Sequence, residues 1–172
     1  MFIRVAKIVT DQNDNIMFTL LGAGYGDEWG EKVIQMIQDF GLESSVSSKP
    51  WVTSKEVENI LLDSDIYVST AFYESFGYTT AESMGKALPV VGTMIDGTVD
   101  LVKHGETGYL VNIDDDERMA HYICSLANDI ELRKTFGLAG KRIIQEKFNI
   151  DKNIVAIEKI YNNLHTKKNQ FY

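Results

Sequence analysis

Two glutamates, Glu74 and Glu82, stand with seven residues between them in the stretch TAFYESFGYTTAESMGKALPVVGT, which runs from Thr70 to Thr93. An ionised carboxylate accepts hydrogen bonds at two oxygens, so a pair of them across one turn suits a ligand rich in hydroxyls, such as a sugar or a ribose. Between them lie Phe76, Gly77, Tyr78 and Thr79, with a helical pattern beginning near Tyr78 or Thr79. The amides of Gly77, Tyr78 and Thr79 then sit at the positive end of a helix, a setting that favours phosphate. Glu82 also admits a plainer reading, because Thr79-Thr80-Ala81-Glu82 has the form of a capping box in which the glutamate reaches back to the cap amide. Glu74 precedes any such cap and has no capping role; it sits beside Phe72, Tyr73 and Phe76. The constellation as a whole suits a sugar nucleotide.

These residues need a scaffold. Short apolar runs recur as IMFTLLG at 16–22, IYVST at 66–70, PVVGT at 89–93 and GYLV at 108–111. Nearly continuous apolar character marks strands of a parallel sheet covered on both faces. Amphipathic segments separate them: Val33, Ile34, Met36, Ile37 and Phe40 repeat at helical spacing ahead of Gly41, and Ser54 can cap a helix carrying Val57, Ile60 and Leu61. Strand alternating with helix predicts an α/β fold, a Rossmann-like doubly wound parallel sheet. The Glu74 loop follows the 66–70 strand at its carboxyl end, where open α/β sheets bind ligands. After Val111 only helices are expected, near 114–128, 131–147 and 151–164, packing across the sheet or reaching toward another domain. One domain over 1–164 with a frayed tail at 165–172 is the expected organisation. The N-terminal segment FIRVAKIVT fits either a β-hairpin arm or a helix with Phe2, Val5, Ala6 and Val9 on one stripe.

Composition narrows the function. A net charge of −8, from 25 acidic and 17 basic residues, repels nucleic acid and anionic lipid. Cys124 is the only cysteine, set in an apolar helical pattern as a small core residue, so no intrachain disulfide forms. His104, His121 and His165 are scattered, and neither a metal site nor a cofactor is expected. No apolar run approaches the roughly 18 residues that span a bilayer. With the lone cysteine, this points to the cytoplasm.

The pattern ESFGYTTAE, followed by MGKALPVVGT, Gly97 and HGETGYLV at 104–111, resembles the C-terminal donor-binding domain of retaining glycosyltransferases of the GT-B fold, notably glycosyltransferase family 4. The resemblance extends from about Phe2 to Leu164. It implies that Glu74 contacts the donor sugar and takes part in catalysis at the anomeric carbon, and that Glu82 binds the ribose hydroxyls. It implies further that Phe76, Gly77, Tyr78 and Thr79 cover the sugar and diphosphate, that Gly22 and Gly24 form a glycine turn, and that Trp51 and Val52 meet the nucleobase. The implied ligand is a UDP- or GDP-sugar, transferred with retention and without metal in a cleft between two Rossmann-like domains. Bacterial surface polysaccharide is the implied product, made at the inner face of the membrane by the full enzyme.

The chain also departs from that pattern. Ser75 stands where glycine is usual, and Thr98-Val99-Asp100 replaces the common Ile-Pro-Glu. The family's first strand, its Gly-Arg motif and the following lysine have no counterpart here, nor does the N-terminal acceptor domain. Those cations normally neutralise the donor diphosphate, and the strand is central in the sheet, so a weakened site and a gap are expected. The chain is therefore read as the donor half of a transferase, incomplete alone, with a missing acceptor domain, a partner chain, or a second copy docking through the incomplete sheet. A noncatalytic nucleotide-sugar-binding module or partner subunit is the alternative. A nicotinamide dehydrogenase is disfavoured, because Gly22, Gly24 and Gly26 lack the third-glycine spacing of the dinucleotide fingerprint.

Overall fold

The computed structural model describes residues 1–22 and 28–168. Its first element settles the N-terminal alternatives in favour of helix: α1 (Phe2–Gln12) buries Ile3, Val5, Ala6 and Val9 on one face. A strand would have turned Ala6 away from the face shared by Ile3, Val5 and Val9, whereas the helix places all four against the core. The strand β1 (Phe18–Leu21) follows, then α2 (Glu28–Asp39), β2 (Val46–Lys49), α3 (Ser54–Leu62), β3 (Tyr67–Ser69) and α4 (Tyr78–Gly85). Next come β4 (Val90–Thr93), the short α5 (Asp96–Val99), β5 (Gly108–Val111), α6 (Asp116–Asn128), α7 (Ile130–Lys147) and α8 (Ile150–Lys168).

Every pairing among the described strands is parallel, but the strands form two sheets, not one. β1 pairs with β2 from Phe18 opposite Val46 to Leu21 opposite Lys49. β4 lies between β3 and β5, with Val91 opposite both Val68 and Tyr109. In place of one sheet with a gap, the structure has this division into two. The division also explains why continuous burial holds only in part: β4 is buried throughout, whereas Thr19 of β1 is exposed and β3 is half-buried. A strand at an edge leaves side chains and backbone in reach of water that an interior strand hides.

The β2 strand escaped the sequence reading because VSSK offers a single apolar residue. Its pairing with β1 and the burial of Val46 decide its conformation, and neither is written in local propensity. Gly41 ends α2 as expected, at φ +66, with its amide donating to the Gln38 carbonyl. The cap of α3 is Thr53, not Ser54: Thr53 and Glu56 form a reciprocal capping box, while Ser54 is the first helical residue.

One core cluster joins α1, β1 and β2 to Val91, Val111 and the inner face of α6. Arg4 on α1 binds Asp116 on α6 and Asp114 just before it, fastening the two helices at the rim. Cys124 is half-buried against this core, and burial pushes its thiol above the ordinary value. A second cluster, Met84, Val90, Leu101, Val102 and Leu110, underlies α4. Of the two placements expected for the last helix, packing across the sheet or reaching toward another domain, the first is not the one α8 takes. α8 runs on to Lys168, beyond the expected boundary at 164, and Ile154, Ile157, Ile160 and Tyr161 all lie exposed along it.

Candidate functional site

The loop from β3 to α4 carries both glutamates. Gly77 starts α4 in the left-handed region at φ +89, a conformation that any side chain would strain. A Cβ there would also meet Leu101 Cδ1 at 3.1 Å. Gly77 therefore permits the loop to drop onto the second core cluster and turn at once into helix. Beyond it, Thr80, Ser83 and Met84 form the buried face of α4, and Glu82 points the other way, to solvent.

No side chain caps α4, so the capping-box reading of Thr79 and Glu82 does not hold. The physical reason is the position of the cap: Gly77 occupies it, two residues earlier, and that puts Glu82 out of register for a reciprocal bond. Among the described residues Glu82 takes no side-chain hydrogen bond or ion pair. Glu74 is half-buried, and its Oε1 accepts a hydrogen bond from the Phe76 amide at 3.2 Å. This local bond is a structural role that sequence reasoning did not assign to it.

Under the loop, the Tyr67 and Thr79 hydroxyls are 2.8 Å apart. Burial pushes the Tyr67 phenol above its ordinary 10.0, and the Glu74 and Glu82 charges add to the rise against the opposing hydrogen bonds of Thr79 and Thr80. Both carboxylates thus raise the same half-buried phenol. The folded chain holds the Tyr67 proton more tightly than the unfolded chain does, so the associated stability is present below pH 10 and lost as pH rises past it. Tyr67→Phe is expected to remove that alkaline loss and, at neutral pH, to cost about 1 kcal/mol for the lost hydroxyl pair, as read from thermal melts on both sides of pH 10.

The aromatic residues of the loop divide. Phe76 packs its ring 4.9 Å from Tyr78 and 5.4 Å from Phe148, the residue that closes α7. Tyr78 is nonetheless 74% exposed, and Phe72 and Tyr73 are exposed as well. At the far end of α4, Lys86 Nζ reaches Glu58 Oε1 of α3 at 2.5 Å. Hydrogen bonds from Lys86 and Lys55 hold the Glu58 carboxyl down to about 2.

The remaining site residues come from the other sheet. Gly22 ends β1 at φ +81, and its amide donates to the carbonyls of Lys49 and Pro50. This ties the β1 turn to the segment holding Trp51 and Val52, of which Trp51 is 93% exposed. Gly22, Trp51 and Val52 therefore share the carboxyl end of the first sheet, as Glu74, Phe76, Gly77, Tyr78 and Thr79 share that of the second. Gly24 lies outside the described residues.

Two hollows, of about 420 and 430 Å³, open elsewhere, the first around Arg4 and Asp114 and the second around Arg118 and His121. Neither reaches the carboxylates, and both are lined by charged side chains already engaged in ion pairs such as Arg4–Asp116 and Arg118–Asp115. The two-carboxylate loop is the better candidate because, among the described residues, neither carboxylate is held in an ion pair and no side chain caps the helix between them.

Comparisons with known proteins identify the family. Residues 1–143 match the family model described as glycosyl transferases group 1. The chain is 28% identical over 156 residues to the N-acetyl-alpha-D-glucosaminyl L-malate synthase of Bacillus anthracis, covering 91% of this chain and 39% of that protein. It is 30% identical over 152 residues to the poly(ribitol-phosphate) alpha-N-acetylglucosaminyltransferase of Staphylococcus aureus (strain COL), covering 88% of this chain and 30% of that one. Among solved structures, a variant of S. aureus TarM in complex with fondaparinux, alpha-GlcNAc-glycerol and UDP superimposes with a TM-score of 0.84 at 28% identity, over 94% of this chain and 32% of that one. The chain thus spans between 30% and 39% of the length of these relatives. A parallel α/β scaffold, a matched segment that includes both glutamates, and a close superposition together assign the chain to the glycosyl transferases group 1 family, as a GT-B glycosyltransferase domain.

Proposed function

We propose that this domain binds the nucleotide-diphosphate sugar donor of a retaining glycosyltransferase. The observation that carries the reading is the pair Glu74 and Glu82, neither engaged in capping, on either side of an α4 N-terminus that no side chain closes. Helix amides and the helix dipole favour a diphosphate at Tyr78 and Thr79. Glu82, one turn into α4 and exposed, accepts from the ribose diol, and Glu74 accepts from the sugar hydroxyls near the anomeric carbon. Gly22, Trp51 and Val52 receive the base across the two sheets. The UDP present in the TarM complex supports a uridine or related nucleotide. Relatives named for capsular polysaccharide and for poly(ribitol-phosphate) support a role in bacterial surface-polymer synthesis.

Transfer needs an acceptor, which on this reading enters from a second domain, a partner chain or a second copy. Two features support docking: the unpaired sheet edges at β1 and β3, and the exposed apolar residues of α8, where Ile150, Ile154, Ile157, Tyr161 and Leu164 recur at heptad spacing. Calorimetric titration of the chain with UDP-glucose, GDP-mannose and NAD tests the reading. Saturable binding of one nucleotide sugar and none of NAD is expected; binding of NAD alone, or of neither sugar nucleotide, would sink it.

A further inference from the structure

The loop bearing Glu74 is shaped by a neighbouring turn with no part in the site as described so far. Gly97, on α5, donates its amide to the Glu74 carbonyl at 2.9 Å. A Cβ at Gly97 would lie 2.6 Å from that same carbonyl oxygen, 2.9 Å from Glu74 Cγ and 2.9 Å from the Phe76 carbonyl carbon. All three atoms belong to the residues that aim the Glu74 carboxylate, and two are backbone, which cannot swing aside. The Thr93 hydroxyl, at the end of β4 and fully buried, donates to the Ala71 carbonyl at 2.6 Å, fixing the start of the same loop. The turn is itself anchored: the Met94 amide donates to the Val111 carbonyl of β5 at 2.7 Å.

From this geometry we infer that the β4–α5 turn is the template for the donor loop, with Gly97 and Thr93 as positioning residues that set Glu74. Gly97 lets the two turns approach to backbone contact, and Thr93 holds the entry of the loop so that the contact is made in one register. Loss of either leaves Glu74 present but misdirected. A shift of the order of 1 Å in a positioned group has large functional consequences.

The ligand arm of the test rests on the donor-site reading above, whereas a second arm does not. In amide NMR spectra, Gly97→Ala is expected to shift the resonances of Glu74, Ser75 and Phe76 while those of α1 and α6 stay in place; unmoved Glu74 and Phe76 amides overturn the inference. In titrations with UDP-glucose, Gly97→Ala should bind about tenfold more weakly than wild type, with no further loss when added to Glu74→Ala. Equal losses in both backgrounds would show that Gly97 acts independently of Glu74, and also overturn it. If wild type does not bind UDP-glucose, the donor reading fails and the NMR arm alone decides. If Gly97→Ala does not fold, Thr93→Val, which removes the donor at nearly constant volume, should move the same amides and Thr93→Ser should restore them; unmoved amides in Thr93→Val overturn the inference.

Discussion

On the proposed function, Glu74→Ala is expected to lower the turnover of sugar transfer, measured with the acceptor half that reading calls for, by about a thousandfold, the scale associated with losing a preorganised electrostatic group at a reacting centre. The fold should survive. Glu74 makes one side-chain hydrogen bond, to the Phe76 amide at 3.2 Å, so its removal costs on the order of 1 kcal/mol. Steady-state assays with the reconstituted enzyme check the first statement and a thermal melt the second. Glu82→Ala should behave differently. Its carboxylate is exposed and has no partner among the described residues, so stability should not change, and the loss should fall on donor affinity more than on turnover. Turnover of the Glu74→Ala enzyme within a fewfold of wild type would remove Glu74 from the chemistry and favour the noncatalytic nucleotide-sugar module.

The second large effect concerns stability. Gly137 on α7 backs onto the carbonyl of Ala87, so closely that a Cβ would overlap the oxygen. Ala87 cannot yield easily, because it sits in the left-handed region at φ 63 and its amide is bound to the Met84 carbonyl. Gly137→Ala is therefore expected to cost about 3 kcal/mol, through forced separation of α7 from the end of α4. For a chain of 172 residues that corresponds to a melting point lower by roughly 10 °C. Gly140→Ala is the control: the nearest atoms to its Cβ would be Cε, Cγ and Cβ of Met84, at 3.4, 3.6 and 3.7 Å, ordinary contact distances, and the change should be close to neutral. Equal melting of the two variants would show that α4 and α7 can part without cost. Since α4 carries Glu82, the same variant should weaken nucleotide binding even below its melting point.

Much of this was legible in the residues. The β3, β4 and β5 strands read as apolar runs, α2 ended at Gly41, and the helix after Gly77 began at Tyr78 as its pattern implied. Other features depended on partners far along the chain. The β2 strand is polar and exists through its register with β1, and α1 is a helix because α6 and the first core cluster receive its apolar stripe. The cap of α4 was misread for a local reason: Thr79-Thr80-Ala81-Glu82 is a good capping sequence, but Gly77 in the left-handed region takes the cap position first. That correction strengthens the site, since it releases Glu82 from structural duty. Glu74 moved the other way, gaining a local bond that the sequence did not suggest. Gly97 and Thr93 were invisible as supports of the loop, because their partners are a backbone carbonyl and a packing distance, which no residue type announces.

A nucleotide sugar seated against the Glu74 loop and the N-terminus of α4 should reveal itself when the UDP-glucose titration is followed by amide NMR. Saturable shifts are expected at Phe76, Gly77, Tyr78 and Thr79, accompanied by Gly22 and Val52 across the two sheets. Shifts confined to Arg4 and Asp114–Glu117, or none at the Phe76–Thr79 amides at saturating ligand, would contradict it.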